Sequence, residues 1–143
     1  MPVLSIEQIT TTPKAATKDE AIQEAADMLV AAGAVTTDYA DAMREREASV
    51  STYMGNLLAI PHGTNESKGA ILDSALSVAR YDEPLDWDGN PVKFVVGIAG
   101  KDGGHLEILS KIAIVFADED EVAKLEAAPD AAAILELLGD VNE

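Results

Sequence analysis

Residues 55–69 read GNLLAIPHGTNESKG. The point where four apolar residues give way to Pro61, His62 and Gly63 decides how the chain folds. These four consecutive apolar residues are too few and too uniform for a surface helix, so they predict a buried strand. Pro61 restricts the residue before it to extended backbone, which predicts that the strand ends at Ile60. Gly63 lets another molecule approach the backbone closely. His62 is therefore expected at a strand end, where open α/β sheets place functional groups; the alternative is a turn histidine bonded to a neighbouring loop.

The segments on either side of this stretch indicate helices mixed with strands. Thr17 followed by Glu20 is a capping-box pattern, and alternating residues bounded by Gly69 and a Pro84–Gly89 turn region favour a strand between them. The predicted helices cover residues 17–32, 37–48, 105–117, 119–127 and 130–138. The predicted strands cover residues 57–60, 70–80 and 92–99. This order predicts a single α/β domain over residues 1–143, a sandwich of a β-sheet covered by α-helices.

The composition excludes several classes of function. The 143 residues include 26 acidic and 10 basic side chains, for a formal net charge of -16. Phosphate backbones and anionic lipid surfaces would be repelled, so neither nucleic acid nor a membrane surface is an expected partner. The absence of cysteine excludes disulfides, thiolate metal ligands and a cysteine nucleophile. No apolar run approaches the roughly 20 residues of a membrane span, and the start of the chain lacks a signal peptide. A soluble cytoplasmic protein is expected.

The second of the two histidines lies in DGGHLEIL, residues 102–109. His105 follows two glycines and falls in the first turn of a predicted helix. Unpaired N–H groups and the helix dipole favour an anion there and keep an imidazole neutral. Such a ring could donate a hydrogen bond to an anion; a capping or packing histidine is the alternative.

Most familiar chemistries lack their motif in this chain. Asp102 and Glu107 could join the two histidines as metal ligands, but no HxH or HxxxH spacing occurs, and this reading is the weakest. GxSxG, GxxxxGK[ST] and GxGxxG are also absent, which leaves a serine hydrolase and nucleotide binding without support. No cofactor is therefore predicted. Covalent catalysis by an imidazole remains, with a phosphoryl group held as a phosphoramidate.

Five segments together resemble the mannitol-type enzyme IIA domain of the bacterial phosphotransferase system, which is related to the fructose-type and nitrogen-regulatory enzymes IIA. They are ATKDEAIQEAADMLVAAG, AMREREAS, TYMG, LAIPHGT and DGGHLEIL, and the resemblance runs from about residue 13 to residue 139. It implies a mixed β-sheet flanked by α-helices.

The resemblance also implies roles for individual residues. His62 would accept a phosphoryl group from the phosphocarrier protein HPr and pass it to a cysteine of an enzyme IIB component. His105 would be the second active-site imidazole, which assists without carrying the group. Arg46 matches the arginine that assists transfer in the family, with Arg44 as a rival. The acceptor cysteine and the transporter are expected on other polypeptides.

Further residues around this site have two possible roles. Thr64 could donate its hydroxyl hydrogen to the phosphoryl group or be an ordinary turn residue. Met54 and Leu106 could form part of a docking patch for the partner proteins, although packing in the core is the expected role of each. Gly104 stands where the family often has an acidic residue, which leaves Glu107 or Asp102 to orient the second imidazole.

Two functions follow. The first is a phosphoryl carrier for uptake of mannitol or a related sugar. The second is a regulatory phosphoprotein with the same histidine chemistry, whose phosphorylation state is sensed by a regulator. The fold and the site are the same for both.

Overall fold

The computed structural model describes residues 3–101 and 105–142. Within these residues the helices are α1 (Lys18–Ala31), α2 (Tyr39–Ser49), α3 (His105–Phe116), α4 (Glu119–Ala127) and α5 (Ala131–Leu137). The strands are β1 (Ile9–Thr10), β2 (Tyr53–Gly55), β3 (Leu58–Ala59), β4 (Ala75–Trp87) and β5 (Asn90–Ala99). Short 3-10 turns lie at Ile6–Gln8, Asn65–Ala70 and Gly139–Asn142.

The strands form one five-stranded sheet in the order β1-β4-β5-β3-β2. The long β4–β5 hairpin is antiparallel and forms the centre of the sheet. β1 pairs parallel to β4, and β3 pairs parallel to β5. β2 closes the opposite edge, antiparallel to β3. The sheet is therefore mixed, and the predicted α/β sandwich is confirmed.

Helices cover both faces of the sheet, and each face has its own apolar core. Successive residues of β5 alternate between these cores: Val95 packs with α1 and α2, and Val96 packs with α3, α4 and α5. Trp87 is fully buried on the α1 face and Phe94 on the opposite face. This alternation follows from the period of two in a strand, and burial on both faces explains the nearly continuous apolar sequence of β5.

Helix α1 begins and ends at the predicted signals. The Thr17 hydroxyl oxygen accepts a hydrogen bond from the Glu20 N–H at 3.2 Å. The Glu20 carboxylate accepts from the Ala16 N–H at 3.0 Å, one residue earlier than the reciprocal bond of a capping box. At the other end Gly33 has φ +78°, and the N–H groups of Gly33 and Ala34 donate to carbonyls of the last turn in a Schellman arrangement.

The prediction that a turn begins at Pro84 is wrong, because β4 runs on to Trp87. The pairing of β4 with β5 shifts register between Arg80 and Leu85. This bulge explains how Pro84, which has no N–H to donate, lies within a long strand. The hairpin turn is instead made by Asp88 and Gly89, with φ of 55° and 92°.

Two strands were not predicted, because β1 and β2 are too short to show a period. β2 is joined to β3 through Asn56 and Leu57, which have φ of 49° and 70°. The Asn56 side-chain amide donates to the Phe116 carbonyl at 2.7 Å, so the end of α3 holds this turn. Leu57 therefore lies in the turn, and the predicted strand is shortened to Leu58–Ala59.

Candidate active site

His62 lies at the edge of the sheet where the parallel strands β3 and β5 both end. The Ile98 N–H donates to the Pro61 carbonyl at 3.0 Å. His62 itself pairs with Ile98 as a parallel bridge beyond the end of β3. β3 ends at Ala59, one residue before the predicted end at Ile60, and pairing with β5 resumes at His62 after the proline. This is the edge at which open α/β sheets bind their ligands.

The His62 imidazole is oriented by its own strand. Its Nδ1 lies 2.8 Å from the carbonyl oxygen of Ile60. A carbonyl can only accept a hydrogen bond, so in the neutral ring Nδ1 carries the hydrogen and Nε2 carries the lone pair. The ring is half-buried. Nε2 is thus the basic nitrogen of the neutral ring.

Tyr39, the first residue of α2, holds the backbone that follows His62. Its hydroxyl accepts a hydrogen bond from the Gly63 N–H at 2.9 Å and donates one to the Ile98 carbonyl at 2.7 Å. The side chain is buried, and burial raises the pKa of Tyr39 above its ordinary value even though the bond from Gly63 opposes the shift. The phenol therefore stays protonated and able to donate. Sequence reasoning missed this residue, since a tyrosine at a helix start has no distinctive pattern.

The two candidate arginines lie on opposite sides of α2. Arg46 donates from Nη1 to the Val50 carbonyl at 2.6 Å, and this segment leads directly to Thr52, whose carbonyl accepts the Ile60 N–H. Arg44 instead contacts α1: its Nε lies 2.9 Å from the Asp19 carboxylate. Of the two, Arg46 is the one bonded to the segment between α2 and β2, and Thr52 of that segment pairs with Ile60, the residue after β3.

Glu47 holds the segment between α2 and β2 in place, and the sequence analysis missed it as well. Its carboxylate accepts hydrogen bonds from the N–H and hydroxyl of Thr52 and from Nε1 of Trp87, and Nζ of Lys18 lies 3.3 Å away. Burial by itself would raise the pKa of Glu47, but the Thr52 hydrogen bonds and the Lys18 charge lower it below its ordinary value. Glu47 therefore anchors the chain between α2 and β2.

Thr64 begins the short turn after the histidine. Its carbonyl accepts from both the N–H and the hydroxyl of Ser67, at 3.1 and 2.5 Å. These bonds lead into the 3-10 turn Asn65–Ala70. The backbone of Thr64 thus has a turn role, and a role of its hydroxyl toward a phosphoryl group stays a prediction.

His105 is the first residue of α3. β5 ends at Ala99 beside β3, so the chain that leaves β5 for α3 starts at the edge that carries His62. The imidazole of His105, and all of Asp102 and Gly104, lie outside what the structure describes. Glu107, a proposed partner of His105, has an exposed carboxylate 3.7 Å from Nζ of Lys111.

Apolar side chains lie exposed on segments near this edge. Val50, Met54 and Leu106 are 64%, 52% and 65% exposed. Val50 accepts from Arg46, Met54 lies in β2, and Leu106 is the second residue of α3. The expectation that Met54 and Leu106 pack in the core is therefore wrong, and their exposure leaves them available to a partner.

Metal binding and membrane spanning can be judged for residues 3–101 and 105–142. Among them, no group of three histidine or acidic side chains is arranged to hold a metal ion. In the same part of the chain, no helix has both the length and the apolar character needed to cross a membrane.

The family described as "Phosphoenolpyruvate-dependent sugar phosphotransferase system, EIIA 2" matches residues 2–141. The chain belongs to this family, and the relatives it matches at 50% identity are named mannitol-specific phosphotransferase enzyme IIA components. The resemblance inferred from the sequence motifs is confirmed.

Individual relatives agree with this assignment. The chain is 50% identical over 141 residues to the mannitol-specific phosphotransferase enzyme IIA component of Halalkalibacterium halodurans, a match that spans 99% of this chain and 97% of that protein. Its fold matches enzyme IIAMTL of Escherichia coli, solved in complex with phosphorylated enzyme IIBMTL, with a TM-score of 0.89, 32% identity and coverage of 96% and 97% of the two chains. The nitrogen regulatory protein IIA-Ntr of Neisseria meningitidis matches with a TM-score of 0.83, 25% identity and coverage of 95% and 96%.

Proposed function

We propose that the chain is a phosphoryl carrier that accepts a phosphoryl group from phospho-HPr on Nε2 of His62. It then passes the group to a cysteine of an enzyme IIB component during uptake of mannitol or a related sugar. One observation carries this proposal: His62 lies opposite Ile98 at the edge where β3 and β5 end, and its Nδ1 is bonded to the Ile60 carbonyl, so Nε2 is the basic nitrogen of the ring. Because the phosphoryl group comes from phosphoenolpyruvate, we expect the carrier to act in the cytoplasm. We also expect residues 1–143 to act as one domain.

The proposed transfer needs no water and no general base. Nε2 attacks the phosphorus, an Nε2–P bond forms, and the bond to HPr breaks with its electron pair leaving on HPr. The ring then carries positive charge, which the Ile60 carbonyl stabilises through the Nδ1–H. In the second step the cysteine sulfur of enzyme IIB attacks the phosphorus, and the electron pair of the N–P bond returns to Nε2. Such transfer depends mainly on positioning and charge stabilisation.

Three further side chains would stabilise the phosphoryl group. A guanidinium has five N–H donors, so Arg46 can keep its bond to Val50 and still donate to phosphoryl oxygens. His105 would add a second imidazole, consistent with the position of its helix start beside β5. Thr64 would add a hydroxyl from the turn that follows His62.

The exposed apolar residues near the site support docking of protein partners. Both HPr and enzyme IIB must reach the same nitrogen, so the site has to be shallow. Val50, Met54 and Leu106 offer apolar surface on segments of this edge. The Escherichia coli relative was solved with phosphorylated enzyme IIBMTL, which favours an enzyme IIB as the acceptor here.

A regulatory phosphoprotein is the second candidate, favoured by the likeness to the Neisseria meningitidis protein. The identity to that protein is 25%, against 50% to a mannitol-specific enzyme IIA component. The carrier role is therefore the better supported of the two.

The test is incubation with phosphoenolpyruvate, enzyme I and HPr, followed by intact mass and acid treatment. Wild type is expected to gain one acid-labile phosphoryl group, and His62→Ala none. A mannitol-type enzyme IIB should then discharge it. If wild type gains no phosphoryl group while a known relative does in the same reaction, the carrier role is wrong. If the group forms but no enzyme IIB discharges it, the regulatory role is favoured.

A further inference from the structure

The Tyr39 hydroxyl occupies a position inside the backbone ladder between β3 and β5. In a parallel ladder, the residue facing His62 donates its N–H to the residue before the histidine and accepts from the residue after it. Ile98 makes the first of these bonds, to the Pro61 carbonyl at 3.0 Å. In place of the second, the Tyr39 hydroxyl accepts from the Gly63 N–H at 2.9 Å and donates to the Ile98 carbonyl at 2.7 Å.

This insertion ties the backbone on both sides of His62 to a single residue of β5. Ile98 holds Pro61 directly and holds Gly63 through the phenol. The peptide that joins His62 to Gly63 is thereby fixed, and the imidazole leaves the strand at a defined angle.

The ring itself depends on this backbone geometry. Its Nδ1 reaches back to the Ile60 carbonyl, two residues earlier, at 2.8 Å. Such a short-range bond forms only over a narrow range of backbone angles at Pro61 and His62. If the His62 backbone shifts so that its φ angle changes, the bond to Ile60 weakens, and the hydrogen no longer resides on Nδ1 alone.

We propose that Tyr39 is a positioning residue for phosphoryl transfer: its hydroxyl keeps Nδ1 of His62 on the Ile60 carbonyl and Nε2 directed at the partner. This inference rests on the proposed carrier function. Removal of the hydroxyl leaves the Gly63 N–H and Ile98 carbonyl either unpaired or drawn together, and both outcomes move the peptide after His62. A misplacement of about 1 Å at a reacting group can lower rates by about a hundredfold, so we expect a loss of about tenfold or more here.

Tyr81 provides a matched control within the same apolar core. It is also a buried tyrosine on the α1 face, with 5% exposure against 2% for Tyr39. Its hydroxyl donates to the Glu24 carboxylate at 2.6 Å. Glu24 belongs to α1 and lies apart from the loop that contains His62 and Gly63. Tyr81→Phe therefore removes one buried phenolic hydrogen bond without touching the ladder at His62.

The experiment compares wild type, Tyr39→Phe and Tyr81→Phe by phosphoryl transfer from phospho-HPr and by ¹⁵N NMR of the imidazoles. The chain has only two histidines, so His62→Ala assigns the signals. For Tyr39→Phe we expect a fall of about tenfold or more in kcat with an unchanged KM for HPr. We also expect its His62 nitrogen shifts to move from the Nδ1–H form toward a mixture. Tyr81→Phe should match wild type in both measurements, even if its thermal midpoint falls.

Each outcome bears on one proposal. Wild type that accepts no phosphoryl group contradicts the carrier function, whereas the NMR comparison still tests the positioning role without any donor. If Tyr39→Phe keeps the wild-type kcat and nitrogen shifts, the hydroxyl has only a structural role. A loss of rate that is equal in Tyr39→Phe and Tyr81→Phe overturns the positioning role as well.

Discussion

Gly63 packs so closely against the ring of Tyr39 that an added Cβ would lie 2.6 Å from its Cε1. The same Cβ would lie 2.5 Å from the Ser67 hydroxyl oxygen. Real Cβ atoms do not approach other heavy atoms this closely, so the loop has room only for glycine at this position. The glycine of the PHG sequence is thus explained by close packing within the chain.

Gly63→Ala is therefore expected to displace the loop that contains His62 and Gly63. The free energy of unfolding should fall by about 1–3 kcal/mol, a typical cost of overpacking, and phosphoryl acceptance should fall with it. Gly69→Ala in the following turn is the control, since its Cβ would meet nothing within 4 Å. Urea unfolding and transfer assays of both variants check this, and equal behaviour would contradict it.

Glu47 predicts a pH dependence of stability. Its pKa is lowered in the folded protein, so its contribution is fully present above the unfolded value of about 4.3 and is lost as pH falls through the lower folded value. The free energy of unfolding of wild type minus that of Glu47→Gln should therefore be constant near neutral pH and shrink below about pH 4.3. Fluorescence of the single tryptophan, buried Trp87, reports unfolding. A difference that does not change between neutral and acid pH would refute the prediction.

The two arginines of α2 should have separable effects. Arg46→Gln removes a guanidinium on the segment beside the histidine strand, and we expect a fall in transfer rate of about tenfold to hundredfold. Arg44→Gln removes a partly exposed pair with Asp19, which typically contributes about 0–1 kcal/mol of stability. It should leave transfer unchanged. Steady-state transfer from phospho-HPr distinguishes them, and the reverse ranking would identify Arg44 as the assisting residue.

Arg80 is expected to stabilise the fold without affecting the site. Its Nη1 donates to the carbonyls of Leu125 and Ala128 at the end of α4, at 3.0 and 2.5 Å. Arg80→Met should lower the free energy of unfolding by about 1–3 kcal/mol, because these carbonyls lose a charged donor. Lys124→Met on the exposed face of α4 is the control and should leave the free energy of unfolding nearly unchanged. Urea unfolding checks both values, and an equal cost would show that Arg80 is not a cap.

The helices and the long strand could be predicted because their signals are local. The last two helices were predicted at residues 119–127 and 130–138 and lie at Glu119–Ala127 and Ala131–Leu137. The Asp118 and Asp130 side chains cap them through bonds to nearby backbone N–H groups. Such caps depend on residues two or three positions apart, so they are visible in the sequence.

β1, β2 and the extension of β4 could not be predicted, because β1 has a partner distant in the chain, β2 turns through residues that are not glycine, and Pro84 interrupts the strand pattern of β4. Ile9 of β1 pairs with Val78, and Tyr53 of β2 pairs with a strand across a turn of two non-glycine residues at positive φ. Nothing within a few residues of these segments favours a strand. Hydrogen bonds to the neighbouring strands stabilise their extended backbone.

The sequence by itself determined the α/β class, the family and the histidine in PHG that the proposal makes the phosphoryl carrier. These follow from local periodicity and from short motifs that a chain carries along its length. Only the tertiary structure decided that Tyr39 joins Gly63 to Ile98, that Glu47 anchors the segment of Arg46, and that Nδ1 of His62 carries the hydrogen. These relationships depend on how groups far apart in sequence, or on a bent backbone, are brought within hydrogen-bond distance by packing of the sheet against its helices.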